Sequence, residues 1–282
     1  MPKPNWLKIT LPKGPNYNKI KAIVKKYNLH TVCEQARCPN IGECWTNKTA
    51  TFMVLGDTCT RNCKFCAVKT GNPKGTVDKE EPKRIAYAVK DLALNYVVVT
   101  SVTRDDLSDG GASIFAETIK QIKKVNPNTK VEVLIPDFAG SAQALEMVLQ
   151  AEPDVLAHNL ETVARLTPLV RDKRANYQIS LRVLQLSKLL DPNIKTKSGF
   201  MVGLGETDEE VKETLFDLKT VGVEIVTIGQ YLKPHPSKLP VTDYISPQKF
   251  EEFRQYGEAL GFRKVLAGPL VRSSYSAYHL EP

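Results

Sequence analysis

The chain has 282 residues, is 42% hydrophobic and carries a formal net charge of +8. That length buries one large core with appendages, and the strongest apolar run, YVVV at 96–99, is strand-sized where a membrane span needs about 18 residues. The opening MPKPNWLKITLPKG lacks the apolar segment of a secretory signal and the Arg and Ser of a transit peptide, so a cytoplasmic protein is expected, whose six cysteines read as metal or redox ligands before disulfides.

Residues 1–33 hold seven lysines (Lys3, Lys8, Lys13, Lys19, Lys21, Lys25 and Lys26) and no carboxylate; the first is Glu34. The rest of the chain is therefore close to neutral. A solvated arm and an electrostatic dock for an acidic partner both fit this pattern. The segment has no arginine and no nucleic-acid motif, so nucleic acid is not an expected partner, and neither is a membrane.

Residues 1–50 are dotted with proline and asparagine and are expected to be an irregular N-terminal extension carrying Cys33, Cys38 and Cys44. From TFMVLGD at 51–57 the pattern becomes regular. Short β-branched runs predict strands at 51–56, 96–101, 131–136, 154–159, 178–184, 199–204, 224–231 and 264–267. Among the helices between them, Thr207 and Glu210 form a capping box ahead of Val211, Leu215 and Leu218, which share one face. Ser246 and Pro247 start another, with Phe250, Phe253 and Leu260 turned inward. Alternating strands and helices imply right-handed βαβ units and a parallel sheet. The expected α/β fold is a partial (β/α)6-type barrel over 51–265, with an open doubly wound sheet as the alternative. GLGE at 203–206 is not the G-x-G-x-x-G of a dinucleotide fold. The tail at 266–282 ends the periodic pattern and is expected to close over the barrel mouth with the N-terminal extension.

The first barrel strand runs straight into Cys59, Cys63 and Cys66, spaced C-x3-C-x2-C. In a (β/α) barrel this loop lies at the C-terminal mouth, where sites are built. Three soft thiolates on a short loop suit an iron–sulfur cube with one iron left open for a substrate or cofactor. A structural zinc would take Cys63 and Cys66 as a knuckle and need a second pair elsewhere. The upstream cysteines have C-x4-C-x5-C spacing with no such pair, and His30, His158, His235 and His279 are scattered.

The loop and the βα units after it resemble the radical S-adenosylmethionine superfamily. CEQARCPNIGECW at 33–45, GDTCTRNCKFC at 56–66 and RSSY at 272–275 together resemble the lipoyl synthase family. TSVTRDDLSDGGA at 100–112, AHNLETV at 157–163, KSGFMVGLGET at 197–207 and GQYLKP at 229–234 fit it too, so the likeness runs across most of the chain. Ser276 after the RSSY tyrosine and HPSKLP at 235–240 are small departures that touch no cysteine.

The resemblance implies two four-iron, four-sulfur clusters. Cys59, Cys63 and Cys66 would hold the first, whose open iron takes S-adenosylmethionine; one electron then yields a 5′-deoxyadenosyl radical. Cys33, Cys38 and Cys44 would hold an auxiliary cluster with Ser274 as fourth ligand. An alkoxide is a hard ligand on a site that prefers thiolate, which suits a cluster that must open. Arg272 would donate to its sulfides or to Ser274. The implied reaction inserts two sulfurs, drawn from the auxiliary cluster, at carbons 6 and 8 of an octanoyl chain on a carrier lysine. For S-adenosylmethionine, polar groups at strand ends are the expected contacts: Ser101, Thr103, Asn159, Glu161, and Arg182 on the expected fifth strand. Arg104, Asp105 and Asp106 read as a salt-bridged loop. The implied partners are an octanoylated lipoyl-carrier domain, a reduced electron donor and an iron–sulfur cluster carrier for rebuilding; the chain itself is expected to be a monomer. Another sulfur-inserting radical enzyme would share only the C-x3-C-x2-C loop, and a two-cluster electron carrier would need no open iron.

Overall fold

The computed structural model describes residues 3–9 and 14–274. Helices α1 (Pro15–Lys26), α2 (Val32–Gln35) and α3 (Ile41–Thr46), with the short strand β1 (His30–Thr31), precede the barrel. This corrects the expectation of an irregular segment through residue 50. The apolar face of α1 is only Ile20, Ile23 and Val24, set among lysines, and α2 and α3 are too short to show a period.

The barrel continues with β2 (Thr51–Val54), the small parallel pair β3 (Thr58–Cys59) and β4 (Lys69–Thr70), α4 (Glu81–Leu92), β5 (Tyr96–Ser101), α5 (Ala112–Val125), β6 (Lys130–Leu134) and α6 (Ala142–Leu149). Then come β7 (Val155–Ala157), α7 (Thr167–Val170), α8 (Tyr177–Leu190), β8 (Lys195–Val202), α9 (Asp208–Thr220), β9 (Ile225–Gln230), α10 (Pro247–Ala259) and β10 (Lys264–Gly268).

The main sheet runs β1-β2-β5-β6-β7-β8-β9-β10. Only β1 is antiparallel, with His30 opposite Met53. The parallel strands keep chain order without a reversal, so every right-handed crossover lays its helix on the same face and the sheet curls. A doubly wound sheet would need the order to reverse. The curl is visible in the side chains: Val98 of β5 packs with Ile225 of β9 and Leu266 of β10, strands far apart in the ladder. The expected partial (β/α) barrel is therefore the fold.

The barrel floor is polar and satisfied. Glu132 on β6 accepts Lys197 Nζ from β8 at 2.8 and 3.1 Å and the Tyr96 hydroxyl from β5 at 2.6 Å. Both ends of the Lys197–Glu132 pair are 1% exposed, so each needs the other as countercharge.

The caps behave as the sequence indicates. The Thr207 hydroxyl accepts the Glu210 N–H at 3.3 Å while the Glu210 carboxylate accepts the Thr207 N–H at 2.8 Å. Ser246 Oγ accepts the Lys249 N–H at 3.2 Å ahead of α10. The strand expected at 178–184 is instead part of α8. Ile179-Ser180-Leu181-Arg182-Val183 alternates like a strand, but over fourteen residues Tyr177, Ser180, Leu181, Leu184 and Ser187 form one buried helical face, started by the Asn176 side chain.

Candidate active site

The C-terminal ends of the strands open into a cavity of about 540 Å³. The loop from β2 carries Cys59, Cys63 and Cys66 into it, and α2, α3 and the turn between them bring Cys33, Cys38 and Cys44. All six thiols line this one space and none is in a disulfide.

The Cys59–Cys66 loop is braced on both sides. Arg61 sits in the loop and is buried. It donates to Asp105 beyond β5 at 2.9 Å and to Asp137 beyond β6 at 2.5 and 2.8 Å. The Thr60 N–H donates to the Thr103 carbonyl at 2.9 Å, and the Lys64 N–H to the Val170 carbonyl at 2.9 Å. Backbone N–H groups point at sulfur: Arg61 to Cys59 Sγ at 3.4 Å and Asp172 to Cys63 Sγ at 3.3 Å, with Val68 bonded to Cys66. Burial raises the Cys63 thiol, and the Asp172 N–H partly offsets that rise.

Burial pushes Cys33 up to about 11, and Cys44 and Cys66 up to about 12, with the neighbouring cysteines of each triad adding to the rise. Negative charge is thus costly in both clusters of sulfur unless a cation shares it, which a metal cluster does. Cys59, Cys63 and Cys66 are a three-sulfur donor set of the kind a four-iron, four-sulfur group takes, and Cys33, Cys38 and Cys44 offer the same chemistry in the same cavity, with all six sulfurs unpaired with one another.

The C-terminal tail reaches the same space. Arg272 and Ser274 line the cavity, and Asn40 Nδ2 between the upstream cysteines donates to the Leu270 carbonyl at 2.6 Å. Arg272 has no carboxylate partner among the described residues. Burial lowers its pKa, against the pull of nearby Cys38. Tyr275 and Ser276 lie outside the described residues.

Four of the five expected cofactor contacts line the cavity. Ser101 ends β5, Thr103 follows it, and Asn159 and Glu161 follow β7. Ser101 Oγ and Asn159 Oδ1 are buried without a hydrogen-bond partner, so this wall lacks ligands that a bound polar molecule would provide. Asn159 Nδ2 donates to Glu161 at 3.1 Å, and burial raises the Glu161 pKa. Glu161 holds a left-handed φ of 69°, pinned by its bridge to Phe200. Arg182 is the exception and a correction. It is exposed on α8, not on a strand, and lines no part of the cavity.

Sequence reasoning missed Arg61 and Arg171, and took His158 only as one of four scattered histidines. The His158 ring bonds the Ile135 carbonyl at 2.9 Å through Nδ1 and Ser180 Oγ at 2.9 Å through Nε2; Arg171 Nη1 also donates to Ser180 Oγ at 2.9 Å. A carbonyl only accepts, so Nδ1 carries the proton and Nε2 accepts from the serine hydroxyl. The C-x3-C-x2-C spacing could have flagged Arg61, which lies within it. Arg171 has no motif around it.

A (β/α) barrel with three thiolates on its first loop defines a class, the radical S-adenosylmethionine enzymes. The Radical SAM superfamily model matches residues 53–218, and the model for the N-terminal domain of lipoyl synthase matches residues 2–38. Lipoyl synthase of Thermus thermophilus is 58% identical over 98% of this chain and 85% of its own length. That of Caldicellulosiruptor saccharolyticus is 58% identical over 98% of this chain and 96% of its own. The chain belongs to the lipoyl synthase family. The solved structure of methylornithine synthase (PylB) shares the fold at a TM-score of 0.58 and 14% identity, covering 94% of this chain and 83% of that one.

Proposed function

We propose that the chain inserts two sulfur atoms, at carbons 6 and 8, into an octanoyl chain held on a lysine of a lipoyl-carrier domain. The observation that carries this is the meeting of both cysteine triads, Arg272 and Ser274 in one cavity. Cys59, Cys63 and Cys66 would hold one four-iron, four-sulfur cluster; Cys33, Cys38, Cys44 and Ser274 would hold the other. When bound, the first group with S-adenosylmethionine supplies a hydrogen-abstracting carbon radical, and the second supplies sulfur.

The chain's own residues bind, orient and exclude water. Ser101, Thr103, Asn159 and Glu161 form the polar wall for S-adenosylmethionine, and the Ser101 and Asn159 oxygens in it are buried without a partner. Arg61 keeps the cysteine loop rigid, so that the reacting carbon is held in a near-attack geometry. Arg272 is a cation beside the second triad and steadies negative charge there. The N-terminal extension and the tail, joined at Asn40 and Leu270, cover the mouth and shield a radical from water.

The partners that follow are an octanoylated carrier domain, a one-electron reductant and a donor that rebuilds the consumed cluster. The lysine-only face of α1 is the proposed dock for an acidic carrier. The deciding experiment is an anaerobic single-turnover assay with an octanoyl-lysine peptide, S-adenosylmethionine and a reductant, read by mass spectrometry. Two sulfurs gained, and lost when Cys33, Cys38 or Cys44 becomes alanine, is the expected result. 5′-Deoxyadenosine without any sulfur gain would keep a radical enzyme and refute this substrate.

A further inference from the structure

The cysteine loop leaves β2 through an unusual turn. Leu55 has φ 70° and Gly56 φ 81°, two left-handed residues in succession. Glycine adopts that conformation freely, whereas leucine there is strained and must be held by its surroundings. The Leu55 N–H donates to the Glu81 carboxylate at 2.7 Å, and its carbonyl accepts from Arg104 Nη1 at 3.4 Å. Arg104 is in turn fixed by Asp106 at 2.7 and 2.8 Å.

Glu81 is the first residue of α4 and only 3% exposed. A carboxylate at a helix N-terminus is favoured by the helix dipole. Its second oxygen lies 3.9 Å from His30 Nδ1, within ion-pair reach, and it raises the pKa of that imidazole. His30 stands three residues before Cys33, on the strand that pairs with β2; Leu55 stands four before Cys59. One buried carboxylate, lining a small cavity of about 200 Å³, thus accepts a hydrogen bond from the chain ahead of Cys59 and is the charge set 3.9 Å from the His30 imidazole ahead of Cys33, whose buried Nδ1 has no hydrogen-bond partner.

We infer that Glu81 is a positioning residue that sets the separation of the two cysteine triads, holding the Cys59 loop through Leu55 and the Cys33 segment through His30. This rests on the two-cluster reading above. Radical formation needs the first triad alone; sulfur capture needs both at a fixed separation. Loss of Glu81 therefore uncouples the two steps rather than slowing both alike.

The test compares Glu81→Gln, Glu81→Leu and His30→Leu with the unaltered chain after reconstitution and anaerobic reduction. Three quantities are read: iron content, the magnetic broadening between the two reduced clusters in the electron paramagnetic resonance spectrum, and 5′-deoxyadenosine formed per sulfur inserted. Glu81→Gln keeps an acceptor for the Leu55 N–H and rescues most of the coupling. Glu81→Leu binds iron, changes the broadening and raises the 5′-deoxyadenosine ratio on the order of tenfold. His30→Leu moves both readouts the same way, by less. Unchanged broadening and ratio in Glu81→Leu, with rates falling only as the loaded fraction falls, overturns the inference. Where Glu81→Leu does not fold, the same result in His30→Leu overturns it. The broadening needs no substrate, so its change supports the inference even where no variant inserts sulfur, an outcome that would refute only the sulfur-insertion reading.

Discussion

His158 shows how a single buried side chain turns into a pH dependence. Burial, then the charge of Arg171, pushes its pKa down to about 4. An unfolded imidazole takes up its proton near 6.5, as any exposed histidine does (about 6.5). Between those values the unfolded chain binds more protons than the folded one, so stability rises with pH and is lost as pH falls through the window. The loss is on the order of 3 kcal/mol by pH 4. Urea unfolding of His158→Gln against the unaltered chain is expected to show a flatter stability curve across that window. A slope that does not change would mean that another group titrates there. Both ring nitrogens of His158 are engaged within the protein, as suits a packing residue rather than a metal ligand.

At the scale of elements, β9 and the C-terminal tail depend on an absent side chain. A Cβ on Gly229 would come within 2.1 Å of the Val271 carbonyl oxygen and 3.2 Å of Arg272 Nη1. Glycine is required there so that the tail can lie on the strand end. Gly229→Ala is expected to displace residues 271–274 and to lower sulfur insertion on the order of a hundredfold, because a misplacement near 1 Å has that effect. Single-turnover assays with hydrogen exchange across 268–274 check it; fast exchange with full insertion would show that the tail's place is immaterial. The helix α8 teaches the opposite lesson about local pattern. Five alternating residues satisfy a strand and a helix face equally, and only the length of the stretch decides. Arg182 was misplaced for that reason alone. Where the local chemistry has one solution, as in the Thr207–Glu210 box or Ser246–Pro247, the element starts where the residues indicate.

Over the whole molecule, the charge is lopsided along the sequence, and α1 presents its share of it to solvent. Ile20, Ile23 and Val24 seat α1 against the protein, and Lys19, Lys21 and Lys25 stand exposed on its outer side, while Lys26 pairs with Asp91 at 2.8 Å. Lys13 lies outside the described residues. Association with an octanoylated carrier is expected to slow as salt rises, and the slope to flatten when Lys19, Lys21 and Lys25 become glutamine. Stopped-flow association rates measure this; a slope already flat in the unaltered chain would remove the arm from the docking step.

The amino-acid sequence by itself determined the α/β class, the parallel sheet, the capped starts of α9 and α10, and the two cysteine triads. These are local facts: hydrophobic period, cap chemistry, and thiol spacing along a few residues. The tertiary structure alone decided which distant groups share the cavity and how they are held. Arg61 meets Asp105 and Asp137, Asn40 meets Leu270, and Glu81 meets both Leu55 and His30. Those contacts join segments tens to hundreds of residues apart. They exist because the curled sheet brings successive strand ends to one rim, a consequence of every crossover turning the same way, which no short stretch of chain records.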